Sequence, residues 1–276
     1  MYLHYFKSKT NNFGDALNPW FWEDVVGLNF DDNKEEVLVG IGTLLNDQNP
    51  FLKPNAAQIV HVVGTGAGYG SSIPQVRNNW RVHCVRGPLT AKAIGVDEKL
   101  ASSDPVIYLN RFIKQSSTKQ YKFSFMPHYS TMSNDLREAV ESVGVKYISP
   151  LLSAEEVIKQ VNESENIICE AMHGAILAEA LRVPWYPVST SSDILSFKWR
   201  DFCYSLDLEY DPQILPRLWG VQPLNIVQKG KRALKLKAFE YNLSKLIRSK
   251  RFILSKQSKL DEMNNKLEGF FSELKK

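Results

Sequence analysis

The stretch Ile167-Ile168-Cys169-Glu170-Ala171-Met172-His173-Gly174-Ala175-Ile176-Leu177-Ala178-Glu179-Ala180-Leu181 decides the fold. Its first apolar residues read as a short buried strand. After a sharp turn, the apolar run that follows is long enough for a helix. A strand that passes straight into a helix is the repeating unit of a parallel α/β sheet. The junction also has a chemical meaning: it aims unpaired backbone N–H groups and the positive helix end at whatever lies above the strand, which suits an anion. His173 adds a titratable donor there, and Gly174 lets a ligand approach the backbone closely. The alternative is that His173 only caps the helix and Gly174 packs against the sheet. Glu170, just before the turn, would orient His173, act as an acid, or be buried as a strand-end partner.

Working outward, strand and helix patterns alternate on both sides. Residues 2–6, 37–41, 59–63 and 81–85 read as strands of a first domain, with helices over 15–26 and 88–94. Pro88 fits the first position of the second helix. The polar run Lys114-Gln115-Ser116-Ser117-Thr118-Lys119-Gln120 reads as a linker. A second set follows, with strands over 122–126, 146–148, 166–169 and 185–188 and helices near 134–143, 154–163, 173–181 and 195–206. Ser153 before Glu155 and Glu156 fits an N-cap with acidic residues in the first turn. The pattern predicts α/β domains over 1–115 and 116–227, followed by a tail over 228–276.

The tail is distinct in charge. It holds 14 Lys/Arg against 5 Asp/Glu, whereas residues 1–227 hold 20 against 25, so the formal net charge of +4 hides a basic tail on an acidic body. Apolar residues recur every seventh position at Phe239, Leu246, Ile253, Leu260, Leu267 and Leu274, an amphipathic helix or a helix pair broken near 255–258. Three readings fit: packing on the body as ordinary core, lying on an anionic membrane surface, or coiled-coil self-association as a homodimer. The second seam position is polar at Lys250, Gln257 and Asn264.

Composition excludes several classes. The 43% hydrophobic content is that of a globular protein, and no stretch approaches about 20 apolar residues, so no membrane span is expected. Three well-separated cysteines (Cys84, Cys169 and Cys203), two of them in apparent strands, argue for reduced, buried thiols in a cytoplasmic protein. No Cys/His pair has metal-ligand spacing, so no metal is expected. The N-terminus lacks the apolar core of a signal peptide. The basic residues of the tail are not interleaved with aromatics in a nucleic-acid module, so no nucleic acid is expected either.

Candidate site residues fall at strand ends. Arg86 stands where a strand gives way to a helix, and a guanidinium there would grip a carboxylate or phosphate, or else pair with a neighbouring carboxylate. His128 follows a strand of the second domain at the edge where open α/β sheets bind ligands. Lys198 and Arg200 add positive charge just past the last strand, or are a solvated helix face. Asp15, with Asn12 and Asn18 around the first strand-to-helix turn, would address a sugar hydroxyl as base or acceptor, or simply cap the helix. The cluster Gly64-Thr65-Gly66-Ala67-Gly68-Tyr69-Gly70 lacks dinucleotide-binding spacing. It is expected to leave room for a substrate, with Tyr69 stacking on a sugar ring.

Five segments occur in order: Asn12-Phe13-Gly14-Asp15-Ala16-Leu17-Asn18, Val85-Arg86-Gly87-Pro88-Leu89-Thr90, Ser103-Asp104-Pro105, Met126-Pro127-His128 and Met172-His173-Gly174-Ala175. Together they make the chain resemble the polysaccharide pyruvyl transferase family, most closely its succinoglycan-type exopolysaccharide branch, over about residues 1–210. The resemblance implies two Rossmann-like domains in a glycosyltransferase-B-like arrangement. It also implies a transferase that moves a pyruvyl ketal from phosphoenolpyruvate, a co-substrate and not a cofactor, onto a hexose diol. The acceptor would be a lipid-linked polysaccharide precursor. The setting would be the cytoplasm, peripherally at the inner face of the plasma membrane. On this reading His173 is the leading acid or phosphate contact, Arg86, His128 and Gly174 hold the donor, and Asn12, Asp15, Asn18 and Tyr69 address the acceptor. Many family members carry an arginine where this chain has Ala171, and Lys198 and Arg200 are the candidates to replace it. Two alternatives are a nucleotide-sugar glycosyltransferase of the same shape, with Asp201 or Glu209 on the donor ribose, and an inactive glycan-binding relative.

Overall fold

A computed structural model describes residues 1–7, 12–218, 225–249 and 251–275. The chain runs β1 (Tyr2–His4), α1 (Phe13–Trp20), β2 (Glu36–Val39), β3 (Ile59–Val63), β4 (Trp80–Cys84), α2 (Pro88–Ile94) and β5 (Ser124–Met126). It continues with α3 (Asn134–Ser142), β6 (Lys146–Tyr147), α4 (Ala154–Asn162), β7 (Ile167–Cys169), α5 (Met172–Ala180) and β8 (Trp185–Ser189). The last elements are α6 (Ser196–Ser205), β9 (Gln213–Ile214), α7 (Ile226–Arg248) and α8 (Gln257–Leu274). This is the α/β class that the alternating pattern implied. Among the described residues, no helix is long and apolar enough to cross a membrane.

The chain forms two compact units. Unit 1 comprises Met1–Ile113, Leu195–Tyr210 and Ser255–Lys276, and unit 2 comprises Lys114–Ile194 and Asp211–Leu254. The sequence division at 115 therefore nearly coincides with the first crossing, at the polar run that begins with Lys114. The other divisions differ. Residues 195–210 belong to unit 1, not to the second unit, and residues 228–276 form no domain of their own.

Unit 1 is built on a parallel sheet in the order β1-β2-β3-β4. Both faces of such a sheet are covered, so its strands read as continuous apolar runs, and Val37, Leu38 and Val39 are indeed fully buried. The helix expected over 15–26 is present, and its winding changes after Trp20. Pro19 has no N–H to give the Asp15 carbonyl, and the Asn18 side-chain amide donates to it instead at 3.3 Å. The chain then widens into a π-helical turn over Phe21–Val25. In unit 1, α8 supplies Phe271, whose ring meets Phe21, Trp22 and Tyr108 edge-on.

Unit 2 carries a parallel sheet in the order β6-β5-β7-β8-β9. The chain winds outward from β5 to β6, then returns past β5 to place β7 on its other side. That reversal is the position where open α/β sheets offer a crevice at their strand C-termini. The hydroxyls of Ser133 and Ser153 cap α3 and α4, accepting from Leu136 N at 3.1 Å and Glu156 N at 3.2 Å. Helix α5 is apolar on all sides and almost entirely buried, as befits a central helix.

The sevenfold apolar seam of the tail is ordinary core, shared between the units. Phe239, Leu243 and Leu246 on α7 join the core of unit 2 with Leu136, Val140 and Tyr186. Ile253 exchanges backbone hydrogen bonds with Trp185 at the start of β8. Leu260, Leu267 and Phe271 on α8 are buried in unit 1. Of the polar seam positions, Asn264 is buried and donates to Asn110 Oδ1 at 3.1 Å, Gln257 begins α8, and Lys250 lies outside the described residues.

Candidate functional site

In unit 1 the strand C-termini converge on a cluster of buried and half-buried charges. Arg86 follows β4 and is fully buried. Its Nε donates to Asp201 Oδ2 at 3.1 Å, and its Nη1 donates to the Gly42 carbonyl at 3.3 Å and to Thr43 Oγ1 at 3.0 Å. Nη2 is buried without a hydrogen-bond partner among the described residues. Asp201, on α6 and also fully buried, accepts from Thr90 N at 2.9 Å and Thr90 Oγ1 at 2.6 Å. Asp104 is a third buried charge nearby. Burial pushes its pKa up to about 6, and Arg86 and Asp201 pull it in opposite directions. The sequence expectation of an arginine open to a phosphate is thus corrected: the guanidinium is an internal ion-paired group that sets the local field.

The same correction applies to the glycine cluster, whose missing side chains make room for the protein itself. A Cβ on Gly66 would lie 2.1 Å from the Arg86 guanidinium carbon, and one on Gly64 would lie 2.1 Å from the Pro105 ring. Tyr69, between them and Gly70, adopts a left-handed backbone (φ 60°) that a non-glycine residue holds only at a cost of ~1–3 kcal/mol. It leaves the Tyr69 ring 44% exposed while the hydroxyl accepts from Lys198 Nζ at 2.8 Å.

Lys198 is buried, and its pKa falls to about 8, first because burial penalises the ammonium and then because Arg86 repels it; Asp15 acts in the opposite direction. Asp15 sits in the first turn of α1 and accepts from Asn12 Nδ2 at 2.7 Å. Burial raises its pKa to about 6, against the stabilising effects of Asn12 and then Lys198. Unit 1 therefore holds a carboxyl and an amine whose ionisations flank neutrality, with a tyrosine hydroxyl on the amine. Acid–base chemistry at neutral pH uses groups tuned in this way.

Two expected members drop out of this cluster. Asn18 is fully buried and saturated: its Oδ1 accepts from Ile41 N at 2.7 Å and Trp22 Nε1 at 3.2 Å, and its amide donates to the Ile41 carbonyl at 3.1 Å as well as to Asp15. It pins α1 to the end of β2 and has nothing left for a sugar. Arg200 is exposed, because residues two apart on a helix point about 200° from one another and Lys198 takes the inner side. A surface depression of unit 1 lined by Lys34, Pro54, Arg77 and Asn79 holds none of these groups.

In unit 2, Glu170 leaves the end of β7 fully buried. Its Oε1 accepts from Thr190 N at 2.7 Å and Thr190 Oγ1 at 2.6 Å, and its Oε2 accepts from His128 N at 3.0 Å and from the Thr131 hydroxyl. Four donors point at it, so it is an acceptor that ties together the loops after β5, β7 and β8, not a proton donor. The backbone of His128 serves this clasp, while its ring nitrogen Nδ1 lies 2.7 Å from Ser130 Oγ and caps the short turn that follows.

His173 is the second residue of α5, half-buried, beside the reversal of the sheet. Neither a side-chain cap nor an acidic residue in the first turn offsets the positive end of this helix. Gly174 packs on β5, since a Cβ there would sit 2.7 Å from the Met126 sulfur. The packing alternative thus holds for Gly174, which brings the helix end down onto the sheet and fixes where His173 stands. All three cysteines are buried thiols with no disulfide among the described residues, as their strand-like settings implied for two of them.

The structure adds groups that the sequence reading passed over. The sequence offers Asp201 only to a donor ribose, and its burial against Arg86 removes that role, while Glu209 is exposed. Thr131 and Thr190 complete the Glu170 clasp, and no spacing rule marks them.

Comparison with known proteins agrees with the five segments. The profile of the polysaccharide pyruvyl transferase family matches residues 60–192. The succinoglycan biosynthesis protein ExoV of Rhizobium meliloti (strain 1021) is 41% identical over 234 residues, which cover 79% of this chain and 72% of that protein. A crystal structure of a functionally uncharacterised protein, KP1_0663 from Klebsiella pneumoniae subsp. pneumoniae NTUH-K2044, aligns over 78% of this chain and 92% of its own. Its TM-score is 0.45 at 16% identity. With a relative so similar over most of both chains, this chain belongs to the polysaccharide pyruvyl transferase family and is an enzyme of that family.

Proposed function

We propose that the enzyme transfers a pyruvyl group from phosphoenolpyruvate to two hydroxyls of a hexose in a polysaccharide precursor, releasing phosphate. The donor and the lipid-linked nature of the acceptor are part of this proposal. The observation that carries it is the pair Asp15 and Lys198, shifted to about 6 and about 8 in one half-buried cluster. The reaction needs a base for the attacking hydroxyl and a fixed cation for an anionic donor, and these groups supply both at neutral pH.

A proton delivered to the methylene carbon of phosphoenolpyruvate makes C2 electrophilic, and one sugar hydroxyl adds there as its proton passes to a base. The second hydroxyl then displaces phosphate, which leaves with that proton, and the ketal closes. Asp15, ionised, takes the proton of the acceptor. Lys198, charged, holds a donor oxyanion, with the Tyr69 hydroxyl fixing its position and the Tyr69 ring stacking on the sugar. In unit 2, the family resemblance assigns His173, at the positive end of α5, as an acid or phosphate contact and His128 as an anion contact. Arg86 and Glu170 are positioning residues: one sets the field around Lys198, the other fixes the loops that flank His173.

Thermal unfolding with millimolar phosphoenolpyruvate, against phosphate and UDP-glucose, tests the reading. Ligand at ~100 times its dissociation constant adds about 2.7 kcal/mol, a readily visible rise in Tm. The expected result is a rise with phosphoenolpyruvate that Lys198→Met abolishes. A rise with UDP-glucose alone would replace pyruvyl transfer by nucleotide-sugar glycosyl transfer.

A further inference from the structure

With the sevenfold seam of the tail consumed as core, α7 still presents an apolar stripe on its opposite side. Val227, Leu234 and Tyr241 are 67%, 70% and 69% exposed. They are spaced by seven, so they drift only about 20° per step and form one line along the helix. Ile226, 86% exposed, lies off this line at the start of the helix. The inward stripe of Phe239, Leu243 and Leu246 faces the core of unit 2 about half a turn away.

The charges of α7 sort with this outward stripe. The helix carries seven Lys/Arg and one carboxylate, whereas α8 carries two against four, so the basic excess of the tail belongs to α7. Lys231, Lys237, Lys245 and Arg248 lie on or beside the stripe at the helical spacing, and all four are exposed. Arg232 turns inward and is paired with Asp135 of α3. The single carboxylate, Glu240, is half-buried and accepts from the hydroxyl of Ser142 on α3 at 3.2 Å, well off the stripe.

An exposed apolar line flanked by long cationic side chains, with no carboxylate beside it, is the pattern of a helix that lies in a bilayer interface. The apolar residues enter the acyl boundary, and the lysine stems reach back to the headgroups. We propose that the outward face of α7 docks unit 2 on a bilayer rich in anionic headgroups, through Val227, Leu234 and Tyr241 with Lys231, Lys237 and Lys245. This does not rest on the pyruvyl-transfer reading.

Co-sedimentation of the full chain with vesicles of phosphatidylglycerol and phosphatidylcholine, against phosphatidylcholine alone, tests it. The chain is expected to pellet with the anionic vesicles and to be released by ~0.5 M salt. Because these side chains are exposed, Leu234→Glu with Tyr241→Glu leaves the fold intact, which the unchanged Tm reports, but abolishes pelleting. Lys231→Gln, Lys237→Gln and Lys245→Gln together weaken anionic binding on the order of 100-fold. Equal pelleting with neutral vesicles, or pelleting unaffected by either set, overturns the proposal. So does failure to pellet by a chain that sediments as a dimer until Leu234→Glu and Tyr241→Glu make it a monomer. That last result makes the face a contact between two copies of the chain.

Discussion

Arg86 and Glu170 are both fully buried charges at the C-terminal end of a parallel strand, yet they are held in opposite ways. Arg86 in unit 1 is neutralised by another charge, Asp201, brought from 115 positions away in sequence. Glu170 in unit 2 is held by four neutral donors, two backbone N–H groups and two hydroxyls. A buried ion pair fails badly when one partner is removed, because the survivor is left uncompensated in low dielectric. A carboxylate in a cage of neutral donors loses only part of its bonding when replaced by an amide. The first arrangement also acts on neighbours electrostatically: after burial, Arg86 is the next largest influence on Lys198, which it lowers, and on Asp104, where it opposes the rise. The second only holds geometry.

The sharpest way to break this contrast is Asp201→Asn. It keeps the shape and removes the charge, and should cost about 3–5 kcal/mol in urea unfolding followed by tryptophan fluorescence. A loss as small as that expected for Glu170→Gln would show that the Arg86 pair is not the electrostatic anchor of unit 1. Next comes Lys198→Met, expected to lower kcat/KM for the pyruvyl donor about 100-fold, or about 2.7 kcal/mol. The pH profile makes that assignment specific. Asp15 acts ionised, so activity rises as pH passes about 6; Lys198 acts charged, so activity falls as pH passes about 8. Lys198→Met should remove the upper limb and Asp15→Asn the lower one.

A smaller effect is expected in unit 2. Glu170→Gln turns an NH2 group towards donors on one side and should cost about 1–3 kcal/mol, with KM and kcat changing less than for Lys198→Met. Glu170→Gln with an intact clasp but no proton-donor activity would instead make Glu170 a catalytic acid. The smallest effect belongs to Arg200→Ala, expected within ±0.5 kcal/mol in stability and without change in kcat, since its side chain is exposed on the far side of α6.

The sequence was most informative where local pattern and burial agree. The strand over Ile59–Val63 and the helix over Pro88–Ile94 have the limits that their apolar run and their Gly87-Pro88 start implied. β9 was missed because two residues, Gln213 and Ile214, carry no period. The tail reads as one segment for a different reason. A sevenfold repeat continues in phase across the break between α7 and α8, although the two helices bury it in different units. Asp15, Lys198 and Tyr69 in unit 1 and His173 in unit 2 are legible as polar groups at strand ends and turns. Whether such a group is open or spent depends on partners distant in sequence: Asp201 for Arg86, Thr190 for Glu170 and Ile41 for Asn18.

The interleaving of the units also sets a timetable. The β1–β4 sheet is synthesised first, but Lys198, Asp201 and the Phe271 that packs on Phe21 and Trp22 arrive only after most of unit 2 has emerged. Domains that fold on the ribosome usually do so from the N-terminus onward. Here the first sheet must wait for the last helix, and the unit begun second can close before the one begun first. A nascent chain stopped at residue 254 would carry every residue of unit 2 and a first unit that lacks α8. The buried charges around Arg86 therefore come together only after Asp201 has emerged, when most of unit 2 is already made.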